Sequence, residues 1–122
     1  MIQVGTQLLV TDNSGGRKIK CLKTFGKIRT ASIGDTVIIS VKNTVAKQKS
    51  KITKGKIYKA LVIETAKGQM RKDGSSLRFF QNSAILLSPQ GTPLGSRIVG
   101  VLTYELRSRN YSKVLSLSSV VL

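Results

Sequence analysis

The side chains able to do chemistry are few. The sequence holds five carboxylates, Asp12, Asp35, Glu64, Asp73 and Glu105, a single thiol, Cys21, and no histidine. Acid–base catalysis needs a group that titrates near the working pH, and an activated nucleophile needs a base within hydrogen-bond reach. With no imidazole and with the acids spread singly along the chain, no spacing spells out either arrangement. Asp12, Asp35 and Asp73 stand beside Asn13, Gly34 and Gly74, so these acids read as turn formers, with the others as helix-end or solitary charges. One cysteine makes neither a disulfide nor a zinc cluster, and Cys21, on the apolar side of a strand-like run, reads as a small buried hydrophobe. No catalytic residue, metal site or cofactor is expected, and no small-molecule substrate. A nuclease, the one enzymatic rival, would need clustered carboxylates and a metal.

The cations carry the stronger signal. Lys and Arg number 21 against 5 Asp and Glu, a net charge of +16 in 122 residues. Seventeen of the cations fall in three acid-poor blocks: six from Arg17 to Arg29, seven from Lys42 to Lys59 and four from Lys67 to Arg78. A solvated surface is normally mixed in sign, whereas these blocks have almost no compensating acid, and a compact chain so charged repels itself unless a polyanion neutralises it. Nucleic acid is the expected partner. A membrane is not, because the apolar residues alternate as in core strands and no stretch approaches the ~20 residues that span a bilayer. The six aromatics, Phe25, Tyr58, Phe79, Phe80, Tyr104 and Tyr111, are mostly scattered. Adjacent in one strand, Phe79 and Phe80 would alternate faces, so at most one could point outward. Phosphate contact and RNA shape, more than base stacking, are expected to dominate. The residues expected to meet phosphate are Arg17, Lys18, Lys20, Lys42, Lys47, Lys49, Lys51, Lys54, Arg71, Lys72 and Arg78.

These side chains need a scaffold, and its pattern is mostly β. Eleven Gly and two Pro separate short β-branched runs. Gln7 to Thr11 reads as a first strand, ended by Asp12-Asn13-Ser14-Gly15-Gly16, a turn whose glycines are expected at positive φ. Lys18 to Lys23 partly alternates, with Ile19 and Cys21 inward. Thr36 to Lys42 puts Val37, Ile39 and Val41 on one face, and Lys56 to Thr65 follows. The lysine-rich segment between them reads as a protruding ribbon. Lys67-Gly68 and Asp73-Gly74 are turns, Leu77 to Phe80 and Ala84 to Ser88 are strands, and Ile98 to Leu102 is placed to close the sheet. One or two short helices are expected beyond Thr103. There is room for one domain, residues 1–122, with 103–122 as a short helical or extended appendage.

The ordered residues Asp12-Asn13-Ser14-Gly15, Gly34-Asp35, Lys59-Ala60, Arg71-Lys72-Asp73-Gly74-Ser75, Arg78-Phe79, Asn82, Leu94-Gly95-Ser96-Arg97-Ile98, Glu105-Leu106-Arg107 and Ser116-Leu117 match a family. The chain resembles the universal large-subunit ribosomal protein number fourteen from end to end. The resemblance implies a small five-stranded β-barrel of OB/SH3-like type with a projecting basic β-ribbon and short C-terminal helices. It also implies no enzymatic activity. The implied role is to bind large-subunit rRNA and help bridge to small-subunit rRNA, with large-subunit proteins three and nineteen as neighbours and the ribosomal silencing factor as a further partner. On this basis Tyr104, Arg107 and Arg109 approach the small subunit, and Ser96, Arg97 and Lys113 lie where the silencing factor docks.

The sequence departs from the family pattern in the short segment between Gly26 and Gly34, at Gly100-Val101, where Gly-Pro is usual, and at Ser118-Ser119-Val120, where Ala-Pro-Glu is usual. These departures and the extra Lys and Ser look organellar, and the mitochondrial matrix is preferred to plastid stroma or bacterial cytoplasm. No secretory or Arg-rich targeting segment is read at the start. A free OB-like RNA-binding protein or RNA chaperone is the rival reading, and an exposed aromatic cluster without a basic ribbon would favour it.

Overall fold

The computed structural model describes residues 2–13, 16–24, 30–44, 55–99, 101–108, 111–118 and 120–121. The expected ribbon tip, with Lys47, Lys49, Lys51 and Lys54, lies outside the described residues, as does Arg109. Five strands form a closed barrel: β1 (Gln7–Val10), β2 (Gly16–Thr24), β3 (Thr36–Thr44), β4 (Ile57–Glu64) and β7 (Ser83–Leu87), hydrogen-bonded in that order. A two-stranded hairpin, β5 (Gln69–Met70) with β6 (Ser76–Leu77), stands between β4 and β7 in sequence. After β7 come β8 (Val101–Leu102), α1 (Glu105–Ser108), α2 (Ser112–Ser116) and β9 (Val120–Val121).

Period-two alternation builds the barrel interior. Ile19 and Cys21 of β2 and Val37, Ile39 and Val41 of β3 are buried there with Ala60, Val62, Ala84 and Leu86. A narrow barrel needs small side chains at some inward positions. Gly16 is one: a Cβ on it would lie 3.3 Å from both Leu86 Cδ1 and Val10 Cγ2. The expectation of a positive φ is wrong for Gly16, whose φ is not positive and which, as the first residue of β2, is there for close approach; Gly15 lies outside the described residues. Gly74 does have positive φ, at 90°, and so does Gly68, at 96°.

Two further expectations are corrected. Ile98 to Leu102 does not close the sheet. Closure is a parallel pairing of β1 with β7, Leu9 opposite Ser83 and Val10 opposite Ala84. With β4 on its other side, β7 has no free edge left for a later strand. Ile98 makes an isolated bridge to Asp12 and donates its N–H to the Leu117 carbonyl at 3.4 Å, while β8 pairs in parallel with β9. Likewise Leu77 to Phe80 is not one strand. Its partner β5 has two residues, so β6 ends at Leu77, and the Phe79 N–H is then donated to the Thr65 carbonyl at 3.3 Å.

The unbroken apolar run of β7 has its cause in the C-terminal segment. Leu61, Ile63, Ile85 and Leu87 lie outside the interior cluster, yet they are buried with Ile98, Leu102, Leu106, Val114 and Leu115. A strand covered on both faces reads as continuous hydrophobe. Helices of four and five residues cannot persist alone, so packing on the barrel holds α1 and α2.

Candidate nucleic-acid interface

β2 presents the cations. Its register against β3 shifts between Gly16 and Lys18 and again between Cys21 and Lys23. A bulge puts consecutive residues on one side, which accounts for the joint exposure of Arg17 with Lys18 and of Leu22 with Lys23. Ile19 and Cys21 hold the interior, so Lys18 and Lys20 face out. Across the ladder Lys20 lies opposite Gln7 on one side and Ser40 on the other, and Lys23 opposite Ile38, which itself faces Lys59. Lys42, at the far end of β3, is exposed as well. The outer face of β2, β3 and β4 thus collects Arg17, Lys18, Lys20, Lys23, Lys42 and Lys59. Lys23 and Lys59 were not among the expected contacts, and only the bulge and the cross-strand register reveal them.

All five carboxylates are engaged in local structure. Asp12 Oδ2 accepts the Leu86 N–H at 3.2 Å, and Asp35 Oδ2 accepts the Ser32 N–H and hydroxyl at 2.8 and 3.0 Å. Asp73 Oδ1 accepts the Ser75 hydroxyl at 2.6 Å and its N–H at 3.0 Å, closing the β5–β6 turn; the hydroxyl bond foremost holds this carboxyl below its usual pKa. Glu64 is buried at the end of β4, and desolvation pushes its pKa up. Among the described residues no three acids, cysteines or histidines gather in a way that could hold a metal ion.

The expected phosphate contacts Arg71, Lys72 and Arg78 lie on and beside the β5–β6 hairpin. Lys72 and Arg78 are exposed, but Arg71 is partly committed: its Nε donates to Glu105 Oε1 at 2.7 Å. Burial works to raise the Glu105 pKa, yet hydrogen bonds, the one from Arg71 foremost, together with the Arg71 charge outweigh it and hold the carboxyl low. This contact joins the hairpin to the start of α1. Lys67 and Arg78 line a cleft of about 630 Å³ with Ser32, Gly68, Met70, Ser76 and Leu77. A second cleft of about 180 Å³ is lined by Lys18, Gln81 and Asn82 together with Gln7, Leu8 and Leu9.

Ser96, Arg97, Tyr104 and Lys113 are each exposed. Asn13 shapes the backbone at Ser96 and Arg97. Asn13 Oδ1 accepts the N–H groups of Ser96 and Arg97 at 2.8 and 3.1 Å, and Asn13 Nδ2 donates to Ser96 Oγ at 2.9 Å. Gly95 permits the approach, because a Cβ there would fall 2.8 Å from Asn13 Oδ1. Tyr104 precedes α1, Lys113 stands on α2, and Arg107 belongs to α1 by its backbone.

Of the aromatics, Phe79 packs against the cluster formed with the C-terminal segment, and Phe80 is exposed over its whole surface, at 107%. Only one of the two faces solvent, as expected, but irregular backbone rather than strand alternation separates them. The chain matches the family described as Ribosomal protein L14p/L23e over residues 1–122, its whole length. It belongs to that family, is a structural constituent of the large ribosomal subunit, and is not an enzyme.

Proposed function

We propose that the chain binds large-subunit rRNA through Arg17, Lys18, Lys20, Lys42, Arg71, Lys72 and Arg78, together with Lys47, Lys49, Lys51 and Lys54 of the segment between β3 and β4. Lys23 and Lys59 join this set from the barrel's outer face. The observation that carries the reading is the sign of that face: exposed cations run across three strands while every carboxylate is tied into a turn, a core or a hairpin contact. Phosphate contacts of this kind fix position more than sequence, which suits a component held in one place on a folded RNA.

A second set of residues supports a second role. Tyr104, Arg107 and Arg109 would meet small-subunit rRNA in an intersubunit bridge, and Ser96, Arg97 and Lys113 would receive the ribosomal silencing factor. Arg suits both partners, because its guanidinium holds phosphate or carboxylate bidentately. Large-subunit proteins three and nineteen are the proposed protein neighbours, the chain acts as one unit, and the mitochondrial matrix is the preferred setting. The rival reading, a free RNA-binding protein or chaperone, is separated by sedimentation. The protein should co-migrate with the large subunit through a salt gradient; a pool migrating free with assorted RNAs would refute the ribosomal role. Arg97→Ala and Lys113→Ala should weaken silencing-factor binding, and Arg107→Ala and Arg109→Ala should weaken subunit joining, each by ~1 to 3 kcal/mol. Four variants that behave like the parent would refute the assignment of this surface.

A further inference from the structure

Phe80 is left unexplained by a phosphate-only account of binding. Its ring is fully exposed, while Phe79 beside it is anchored in the second hydrophobic cluster. The segment carrying the ring is held on both sides. The Phe79 N–H is donated to the Thr65 carbonyl at 3.3 Å, Asn82 Oδ1 accepts the Ala66 N–H at 2.9 Å, and the Asn82 carbonyl accepts the Leu9 N–H at 3.0 Å. These bonds tie Phe79 and Asn82 to β1 and to the end of β4, so the ring is presented from a fixed frame. Chain segment 78–82 also runs from one cationic cleft to the other: Arg78, with Lys67, lines the larger, and Gln81 and Asn82, with Lys18, line the smaller.

We propose that Phe80 stacks on an unpaired nucleobase of the bound RNA, with the strand's phosphates on either side of that nucleotide lying in the two flanking clefts. The proposal rests on the reading that this chain binds rRNA. Every base offers a π-face, so an exposed ring between cations is a stacking platform that needs no particular base. A protein partner fits less well, because aromatic anchors of protein interfaces sit in patches depleted of charge, whereas the clefts lined by the chain neighbours of Phe80 hold Arg78 and Lys67 on one side and Lys18 on the other. Restraint of segment 79–82 before binding lowers the ordering cost that a mobile aromatic would add.

The sequence has no tryptophan, which makes the test direct. Phe80→Trp gives the full-length protein one indole, whose emission should be quenched on titration with a large-subunit rRNA transcript and whose affinity should match the parent. Phe80→Ala and Phe80→Leu should both bind about 5- to 150-fold more weakly, the range expected for one lost stack, with the log–log salt slope unchanged. Thermal melting of all three should match the parent, because the ring touches no core. If the parent binds with a steep salt slope and Phe80→Ala binds equally well, the stacking proposal is wrong while the rRNA reading stands. If the parent shows no salt-dependent binding, the rRNA reading fails and this proposal with it. Retained affinity in Phe80→Leu would mean an ordinary apolar contact, and quenching only on addition of large-subunit proteins would mean a protein contact; either result overturns the stack.

Discussion

Replacing Lys18, Lys20 and Lys23 together by Gln tests whether the outer face of β2 is the electrostatic footprint. All three project away from the interior that Ile19 and Cys21 occupy, and none is buried, so the substitution removes charge while leaving the packed side chains in place. If each lysine neutralises one phosphate, each contributes ~0.7 to 0.9 to the slope of log K against log salt. Three contacts then make the slope shallower by about 2 to 3. Because the same term sets the affinity gained on dilution from ~1 M to ~0.1 M salt, the triple variant should bind on the order of 100-fold or more weakly at ~0.1 M and converge on the parent near ~1 M. The assay is filter binding of the full-length protein to a large-subunit rRNA transcript across that range, with thermal melting as the control for folding. Parallel lines of equal slope would refute the reasoning. Such a result would put the lysines in solvent and move the contacts to the hairpin, the lysines between β3 and β4, or the C-terminal segment.

Two acids should respond oppositely to neutralisation. Glu105 has its pKa depressed in the fold, so its contribution is present above the unfolded carboxylate value and is lost as pH falls through the lower folded value; Glu105→Gln should cost about 0.5 to 1.5 kcal/mol at neutral pH, and the deficit should vanish in acid. Glu64 has its pKa raised by burial, so its ionisation works against the fold as pH rises through and above the unfolded value; Glu64→Gln should raise the melting temperature at neutral pH and lose that advantage in acid. Melting curves from acid to neutral pH check both, and equal signs would contradict the burial and pairing described. A glycine pair separates strain from collision: Gly74→Ala meets open space at φ 90° and should cost about 1 to 2 kcal/mol, whereas Gly68→Ala, at φ 96°, also drives a Cβ to 2.7 Å from the Leu77 carbonyl and should cost more and disturb the Lys67–Arg78 cleft. Denaturant titration reads the difference, and equal costs would mean the hairpin yields freely.

Much of the barrel was legible because burial on one face imposes a period. Ile19 with Cys21, and Val37 with Ile39 and Val41, announce their strands, and the unbroken apolar run from Ala84 to Leu87 announces a core strand. What could not be read depends on pairings far apart in sequence. The parallel contact of Leu9 with Ser83 closes the barrel, yet nothing local at either residue specifies the other. The same holds for Arg71 and Glu105, which the fold brings to 2.7 Å across 34 positions. The basic face was legible as charge but not in detail: a bulge depends on the partner strand's register, so Lys23 could not be assigned to the outer face from alternation alone. Phe80 escaped for a related reason, because its exposure follows from how early β6 stops.

The C-terminal segment both covers the barrel and carries exposed cations. Successive residues divide these tasks. Arg97 is exposed and Ile98 buried, Tyr104 is exposed and Leu106 buried, and Lys113 is exposed while Val114 and Leu115 are buried. The buried members lie over Leu61, Ile63, Ile85 and Leu87 of the barrel, so the docking that orders α1 and α2 also sets where the exposed members stand. Truncating a buried member such as Leu106 opens a cavity and costs about 2 to 5 kcal/mol, and the surface should fail with it. Removing an exposed cation leaves that packing untouched and can alter only what binds there. Stability and partner binding are therefore separable residue by residue, and the Arg71–Glu105 contact is the exception. It ties the hairpin beside the larger cationic cleft to the first turn of α1, so its loss should disturb both surfaces while leaving the barrel interior intact.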